Sequence, residues 1–294
     1  MNASFYGPVS RFYLSQRLRL HYADWGNSAA PPLVMLHGGR DHCRSWDWVA
    51  QRLRKDWHII APDLRGHGDS AWSPDGNYST LAHIQDLAEL IDQQNLRPVT
   101  IVAHSFGAHI SLRYAGIFPD NVKKLVEIEG VWPQRAKAIA VMQTPVAERL
   151  RKWLSDGRIL GSRKPRRYPT IEAAFQRMMG ENRHLSPDKA FHLTQHGVNQ
   201  NEDGSFSWKF DNLVRMISPH DVTIDELEDL WSNIICPTLH VYGQESRVEN
   251  PETTGRMGLF HNARLVKFDR AGHWVHHDRL EAFVETVREF LAAD

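Results

Sequence analysis

The segment Ala103-His104-Ser105-Phe106-Gly107 sets a serine between small residues, directly after the apolar run Val99 to Val102 and before a helical stretch that ends ahead of Pro119. A nucleophile held on a sharp strand-to-helix turn sits on strained backbone, so the residues two before and two after it must be small. Ala103 and Gly107 meet that need. His37-Gly38-Gly39 likewise follows an apolar run, Leu33 to Leu36, and its glycines leave backbone N–H groups open to a substrate oxygen. Donors at Gly39 and at Phe106, the residue after the serine, would face the charge that develops in a tetrahedral intermediate, each worth about 3 kcal/mol. Taken singly, each motif also reads as a plain tight turn; the strand and helix flanks favour the chemical reading.

A serine hydroxyl attacks a carbonyl only when a base removes its proton. Of the 17 histidines, His273 is singled out by its place in Ala271-Gly272-His273-Trp274, just after the apolar run Arg264 to Phe268 and before the amphipathic stretch Leu280 to Leu291. Its neighbours His276 and His277 read as solvated or capping residues. No two-histidine-plus-carboxylate spacing marks a metal site. Cys43 and Cys236 stand far apart, which supports neither a disulfide scaffold nor a cysteine zinc site. No metal and no cofactor are expected.

The elements that must position these residues are visible as patterns. Leu18, Leu20 and Tyr22 alternate with polar residues, as on a half-buried edge strand. Six short apolar runs, at Leu33–Leu36, His58–Ala61, Val99–Ala103, Leu125–Ile128, Thr238–Tyr242 and Arg264–Phe268, suit strands covered on both faces. Helical periodicity separates several of them, clearest from Leu81 to Ile91, so a parallel sheet is implied. The alternation breaks after Gly130 and resumes near Cys236. Within the gap, Val141, Met142, Val146, Leu150 and Trp153 share one helical face, and Ile171, Ala174, Phe175 and Met178 another. Phe206, Trp208 and Phe210 alternate after Asp203-Gly204, as in a short hairpin arm. This region reads as a cap over the carboxyl edge of the sheet, where open α/β sheets bind ligands.

A chain of 294 residues that is 41% hydrophobic can bury a real core, which excludes disorder over most of its length. Lys plus Arg balances Asp plus Glu at 35 each, so no global field draws it to nucleic acid or to an anionic membrane, and a polyanion partner would need a local patch. Arg163-Lys164-Pro165-Arg166-Arg167 is such a patch in sequence, read here as a solvated face. No run approaches the length of a membrane span, and Met1 to Leu20 lacks the apolar core of a secretory signal, so a cytoplasmic protein is expected.

Together these motifs resemble the α/β-hydrolase superfamily over nearly the whole chain. The resemblance is carried by His37-Gly38-Gly39, Asp63-Leu64-Arg65-Gly66-His67-Gly68-Asp69-Ser70, the turn around Ser105, Phe118-Pro119 to Leu125, Pro237 to Gly243 and Gly272-His273-Trp274. Ile128-Glu129-Gly130 and Asp203-Gly204 to Asp211 look like those of capped, serine hydrolase-like members. The resemblance implies a mostly parallel eight-stranded sheet flanked by helices, with a core of residues 1–130 and 233–294 and a helical cap of residues 131–232 inserted after the sixth strand. It also makes Asp63 to Ser70 a structural loop, with Asp63 and Arg65 in packing roles.

One position departs from the pattern. Most relatives carry the acid of the catalytic triad three residues after a glycine that corresponds to Gly243, where this chain has Ser246. Two replacements are open: Glu245 in the same loop, and Glu129, 24 residues after Ser105, where some relatives such as certain haloalkane dehalogenases place their acid. Glu129 is preferred because a strand end holds a side chain more rigidly than a long loop; Glu127 points to the opposite strand face. The expected activity is hydrolysis of a small carboxylic ester through an acyl-enzyme, with Ser105, His273 and Glu129 as triad and Gly39 and Phe106 as oxyanion hole. Carbon–carbon hydrolysis, lactone hydrolysis or acyl transfer would use the same residues, and a non-catalytic ligand-binding protein is a further alternative. Trp132, Met142, Trp153, Met178, Met179 and Trp208 fall in the cap, mostly as its core, and suggest a substrate with an apolar acyl or aryl part. The protein is expected to be a monomer or homodimer.

Overall fold

The computed structural model describes residues 7–131, 135–182, 184–216, 218–219 and 221–293; Trp132 lies outside them. The chain opens with strands β1 (Val9–Ser15), β2 (Leu18–Asp24) and β3 (Pro32–Leu36), then helix α1 (Asp47–Leu53) and strand β4 (His58–Pro62). Helix α2 (Thr80–Gln93), strand β5 (Val99–His104), helix α3 (Phe106–Ile117) and strand β6 (Val122–Ile128) follow. Helices α4 (Arg135–Gln143), α5 (Val146–Ser162), α6 (Ile171–Glu181) and α7 (Pro187–Gly197), the hairpin β7 (Val198–Gln200) and β8 (Phe206–Trp208), and helix α8 (Ile224–Ser232) come next. Strands β9 (Thr238–Gly243) and β10 (Ala263–Phe268) and helices α9 (Val275–Asp278) and α10 (Leu280–Ala292) complete the chain.

Eight strands form one sheet in the order β1-β2-β4-β3-β5-β6-β9-β10, parallel except for the pairs β1–β2 and β2–β4. All six residues of β5 are buried, as a strand covered on both faces must be. Alternate residues of β3 feed two apolar layers. Val34 and Leu36 face the cluster built with α2, α3 and α8, while Leu33 and Met35 face the one built with α1 and α10. This is the α/β-hydrolase fold, and every strand expected from an apolar run is present.

The sequence pattern missed β1. Only Tyr13 and Ser15 of its seven residues are buried, and the turn into β2 uses Gln16 and Arg17 at φ 46° and 68°, where an asparagine or glycine would have signalled a hairpin. A second difference concerns the inserted segment. Its last helix, α8, sends Ile224, Leu227 and Trp231 into the same cluster as α2 and α3, so this part of the expected cap, 131–232, packs as a layer of the sheet domain. The helical face expected from Val141 to Trp153 is divided, because α4 ends at Gln143 and α5 begins after Pro145. Val141, Met142, Val146 and Trp153 are exposed rather than buried in a cap core.

The loop from Asp63 to Ser70 is built as a scaffold. Asp63 accepts hydrogen bonds from the N–H groups of Cys43 (2.7 Å) and Asp69 (2.9 Å) and from His21 Nδ1–H (2.7 Å). These donors hold its carboxyl well below the ordinary range despite full burial, which acts in the opposite direction. Arg65 makes a two-pronged bond to Asp86, 2.6 Å on each side, with side chains 2% and 6% exposed. Removing one partner leaves the other charge buried and unbalanced. Arg65→Ala is therefore expected to destabilise the fold by about 3–5 kcal/mol; urea unfolding checks it, and a loss below about 1 kcal/mol contradicts the buried-pair assignment.

Candidate active site

Strand β5 ends at His104 and helix α3 starts at Phe106, so the reversal falls on Ser105, whose φ of 50° lies in the left-handed region. The turn has no room for a larger neighbour: a Cβ on Gly107 would lie 2.5 Å from the carbonyl oxygen of His37 and 2.7 Å from that of Leu36. The Ser105 N–H donates to the Ile128 carbonyl (2.8 Å), which ties the turn to the end of β6.

Glu129 is the next residue after that strand, also at positive φ (56°), and its side chain has no exposed surface. One carboxylate oxygen accepts from the Gly243 N–H (2.9 Å). The other accepts from the Ser246 hydroxyl (2.6 Å) and from His273 Nδ1–H (2.5 Å). With Nδ1 committed to the carboxylate, His273 Nε2 is left as acceptor for the Ser105 hydroxyl at 2.9 Å. The structure thus brings Ser105, His273 and Glu129 into one hydrogen-bonded row.

The other two glutamates are elsewhere. Glu245 is half exposed and faces His184 Nε2 at 3.5 Å. Glu127 is buried on the far side, accepting from His240 Nδ1–H (2.5 Å) and from the Gly130 N–H (2.6 Å). Ser246, noticed in the sequence only as a departure, turns out to hold Glu129.

The His273 loop is fixed from three directions. Gly272 N–H donates to Asp278 (2.8 Å), Glu245 N–H donates to the Ala271 carbonyl (2.9 Å), and His104 Nε2–H donates to the His273 carbonyl (2.9 Å). Burial pushes the pKa of His104 well below its ordinary value, so it serves as a neutral donor. The His273 side chain itself is 39% exposed, so a substrate can reach the ring.

Gly38 and Gly39 pass beside the serine. A Cβ on Gly38 would come within 2.8 Å of His104 Nδ1 and 3.3 Å of Ser105 Cβ, and one on Gly39 would sit 3.9 Å from Phe106 Cβ. The backbones of Gly39 and Phe106 therefore flank the nucleophile position together. His37 secures this stretch: its Nδ1–H donates to the Gly38 carbonyl (2.7 Å) and its Nε2 accepts from the Leu64 N–H (3.0 Å). That arrangement needs a neutral ring, and burial pushes its pKa down to about 3.

One further expectation is corrected. His276 and His277 are buried, not solvated; His276 stacks on Trp46 at 4.6 Å and His277 Nε2 bonds the Ser45 hydroxyl at 2.8 Å. Among the described residues, folding also brings together two groups of metal-capable side chains that sequence spacing did not reveal, His21 with Cys43 and Asp63, and Asp47 with His192 and His196. Asp63 is already bonded as described above, and Asp47 receives the Arg44 guanidinium at 2.8 and 2.9 Å. Neither group includes a member of the Ser105 row.

The sequence pattern of the alpha/beta hydrolase family matches residues 33–286, most of the chain. The chain belongs to this family. It is 26% identical over 292 residues to an esterase of Mycobacterium tuberculosis, an alignment that covers 97% of this chain and 90% of the relative. It is 28% identical over 284 residues to an sn-1-specific diacylglycerol lipase of Mus musculus, covering 91% and 83%. Among solved structures, the thioesterase domain from the curacin biosynthetic pathway superposes with a TM-score of 0.86 at 22% identity, covering 97% of this chain and 100% of that domain.

The geometry distinguishes the candidate acids by experiment. Glu129→Gln is expected to lower kcat for an ester substrate by about 10³–10⁴-fold, as loss of the tautomer-setting carboxylate does in comparable triads. Glu245→Gln should leave the rate within about twofold, and Ser246→Ala, which removes one hydrogen bond of about 1 kcal/mol, should cost about tenfold or less. A large loss in Glu245→Gln with little in Glu129→Gln would reverse the assignment.

Proposed function

We propose that this protein is a serine hydrolase that cleaves carboxylic esters through an acyl-enzyme intermediate. The observation that carries the reading is the row Ser105 Oγ–H to His273 Nε2 (2.9 Å) and His273 Nδ1–H to Glu129 (2.5 Å). Ser105 attacks the ester carbonyl as His273 takes its proton, and the carbonyl π electrons move onto oxygen. The N–H groups of Gly39 and Phe106 face that oxyanion. Collapse of the intermediate expels the alkoxide, which receives the proton from His273, leaving the acyl group on Ser105. A water molecule then gives its proton to His273 and attacks the acyl-enzyme; release of the acid returns the proton to Ser105. Through both halves Glu129 holds the ring in one tautomer and balances its positive charge.

The inserted segment acts as a cap in this reading. Leu185, Ala190 and Leu193 form an apolar cluster against which Phe175, Met178 and Met179 pack, together with Trp48 and with Trp274, the residue after His273. Apolar side chains beside the base suit a substrate with an apolar acyl or aryl part. The lipase and esterase relatives are consistent with that class.

Turnover of a short p-nitrophenyl ester and covalent labelling by a fluorophosphonate probe test the proposal. Both are expected in the wild type, and Ser105→Ala should abolish both. Labelling that survives in Ser105→Ala removes this serine from the role, and a wild type that neither labels nor releases alcohol favours a ligand-binding protein.

A further inference from the structure

The segment that follows the triad acid carries charge unlike the rest of the molecule. Residues 135–167 contain ten Lys or Arg against Glu148 and Asp156, a surplus of eight positive charges in a chain whose sum is zero. The remainder therefore carries eight negative charges. Some of the basic residues are paired: Arg135 with Asp225 and Glu228 on α8, Lys152 with Asp156 at 2.6 Å, and Arg167 with Glu202 and Asp203 at 2.8 and 2.6 Å. Among the described residues, Lys137, Arg151, Arg158, Arg163 and Lys164 have no carboxylate partner.

The same segment exposes apolar surface. None of the residues from 135 to 167 is buried, and Val141, Val146, Leu154 and Ile159 are 58%, 53%, 52% and 53% exposed. Met142 and Trp153 are exposed beside them. On α5, positions 146, 150, 153, 154 and 157 recur at three- and four-residue spacing, which makes a stripe. Part of that stripe rests on the chain near Leu213 and Met216, where a Cβ on Gly157 would meet the Met216 side chain at 3.2 Å. Val146 and Leu154 remain open to solvent.

We propose that α4, α5 and the basic run Arg163 to Arg167 form a docking surface for an anionic lipid bilayer. Trp, Leu, Val and Ile enter the headgroup boundary while the long Lys and Arg side chains extend to the phosphates. Neither feature alone makes this choice. A polyanion such as RNA would use the charge and gain little from the apolar side chains, and a second copy meeting it through the same face would present the same positive surface to itself. A bilayer with acidic headgroups matches both. Among the described residues no helix is long and apolar enough to cross a membrane, so the contact lies on the surface of the bilayer. The surface adjoins the site: α4 starts six residues after Glu129, and its Ala138 packs on the same core cluster as Phe106.

Binding of the full chain to vesicles tests this, and it reads no step of the chemistry at Ser105. The probes are vesicles of phosphatidylglycerol and phosphatidylcholine in equal parts, and vesicles of phosphatidylcholine alone. The wild type is expected to bind the anionic vesicles at least about tenfold more tightly. Raising the ionic strength from about 0.1 M to about 1 M, which shortens the screening length from about 10 to about 3 Å, should remove most of that preference. Leu154→Asp and the triple variant Arg163→Glu, Lys164→Glu, Arg166→Glu alter exposed side chains and should each weaken anionic binding by about tenfold or more. Circular dichroism and urea unfolding check that the variants are folded. Equal binding to both vesicles, or no loss in either variant, overturns the proposal. So does a dimer in sedimentation that Leu154→Asp dissociates, or an RNA homopolymer bound as tightly as the anionic vesicles with no effect of Leu154→Asp.

Discussion

A carboxylate with no exposed surface needs its charge balanced by groups within hydrogen-bond reach, and Glu129 has three such donors on its two oxygens. Two of them come from the end of β9, the Gly243 N–H, and from the loop that follows it, the Ser246 hydroxyl; the third is the ring of His273, from the loop after β10. Satisfying that one buried group therefore fixes the relative position of three loops at one edge of the sheet. His273 in turn has only one nitrogen left, and it points to Ser105. The chemistry assigned to the site follows from this constraint, since a ring free to rotate or to change tautomer would hold the serine proton only part of the time.

Much of this was readable beforehand because it depends on local constraints. Ser105 was marked by the small residues its strained turn demands, and His37-Gly38-Gly39 by glycines that leave backbone N–H groups open to a substrate oxygen; the close approach of His104 and Ser105 to Gly38 came only with the fold. The sheet was readable because strands covered on both faces must be apolar throughout, as β5 is. β1 was not, since an edge strand with five exposed residues has no such pattern. The preference for Glu129 over Glu245 came from the rigidity of a strand end. What fixed Glu129 in place was invisible in sequence, because the Gly243 N–H and the Ser246 hydroxyl lie more than a hundred residues away. The same holds for Asp47, His192 and His196, and for the burial of His276 against Trp46 and of His277 beside Trp48.

The inserted segment shows where pattern reading has less power. The periodicity from Val141 to Trp153 suits a buried cap face, yet Val141, Met142, Val146 and Trp153 are open to solvent. Periodicity identifies an apolar stripe; it does not say whether the chain itself or a partner covers it. The zero net charge had the same limitation. A surplus of eight positive charges in residues 135–167 disappears in the sum because the rest of the chain cancels it, so the balance that argued against an anionic surface holds only for the average over the molecule.

The relay through His273 is tested most directly by proton NMR of protein with nitrogen-15 in its histidine rings. Short bonds between a ring N–H and a carboxylate shift that proton far downfield, and among the described residues the two shortest are His240 to Glu127 and His273 to Glu129, both at 2.5 Å. Glu129→Gln should remove the His273 signal and leave that of His240, while Glu245→Gln should leave both. A spectrum unchanged by Glu129→Gln, or one that loses a signal in Glu245→Gln, would contradict the account.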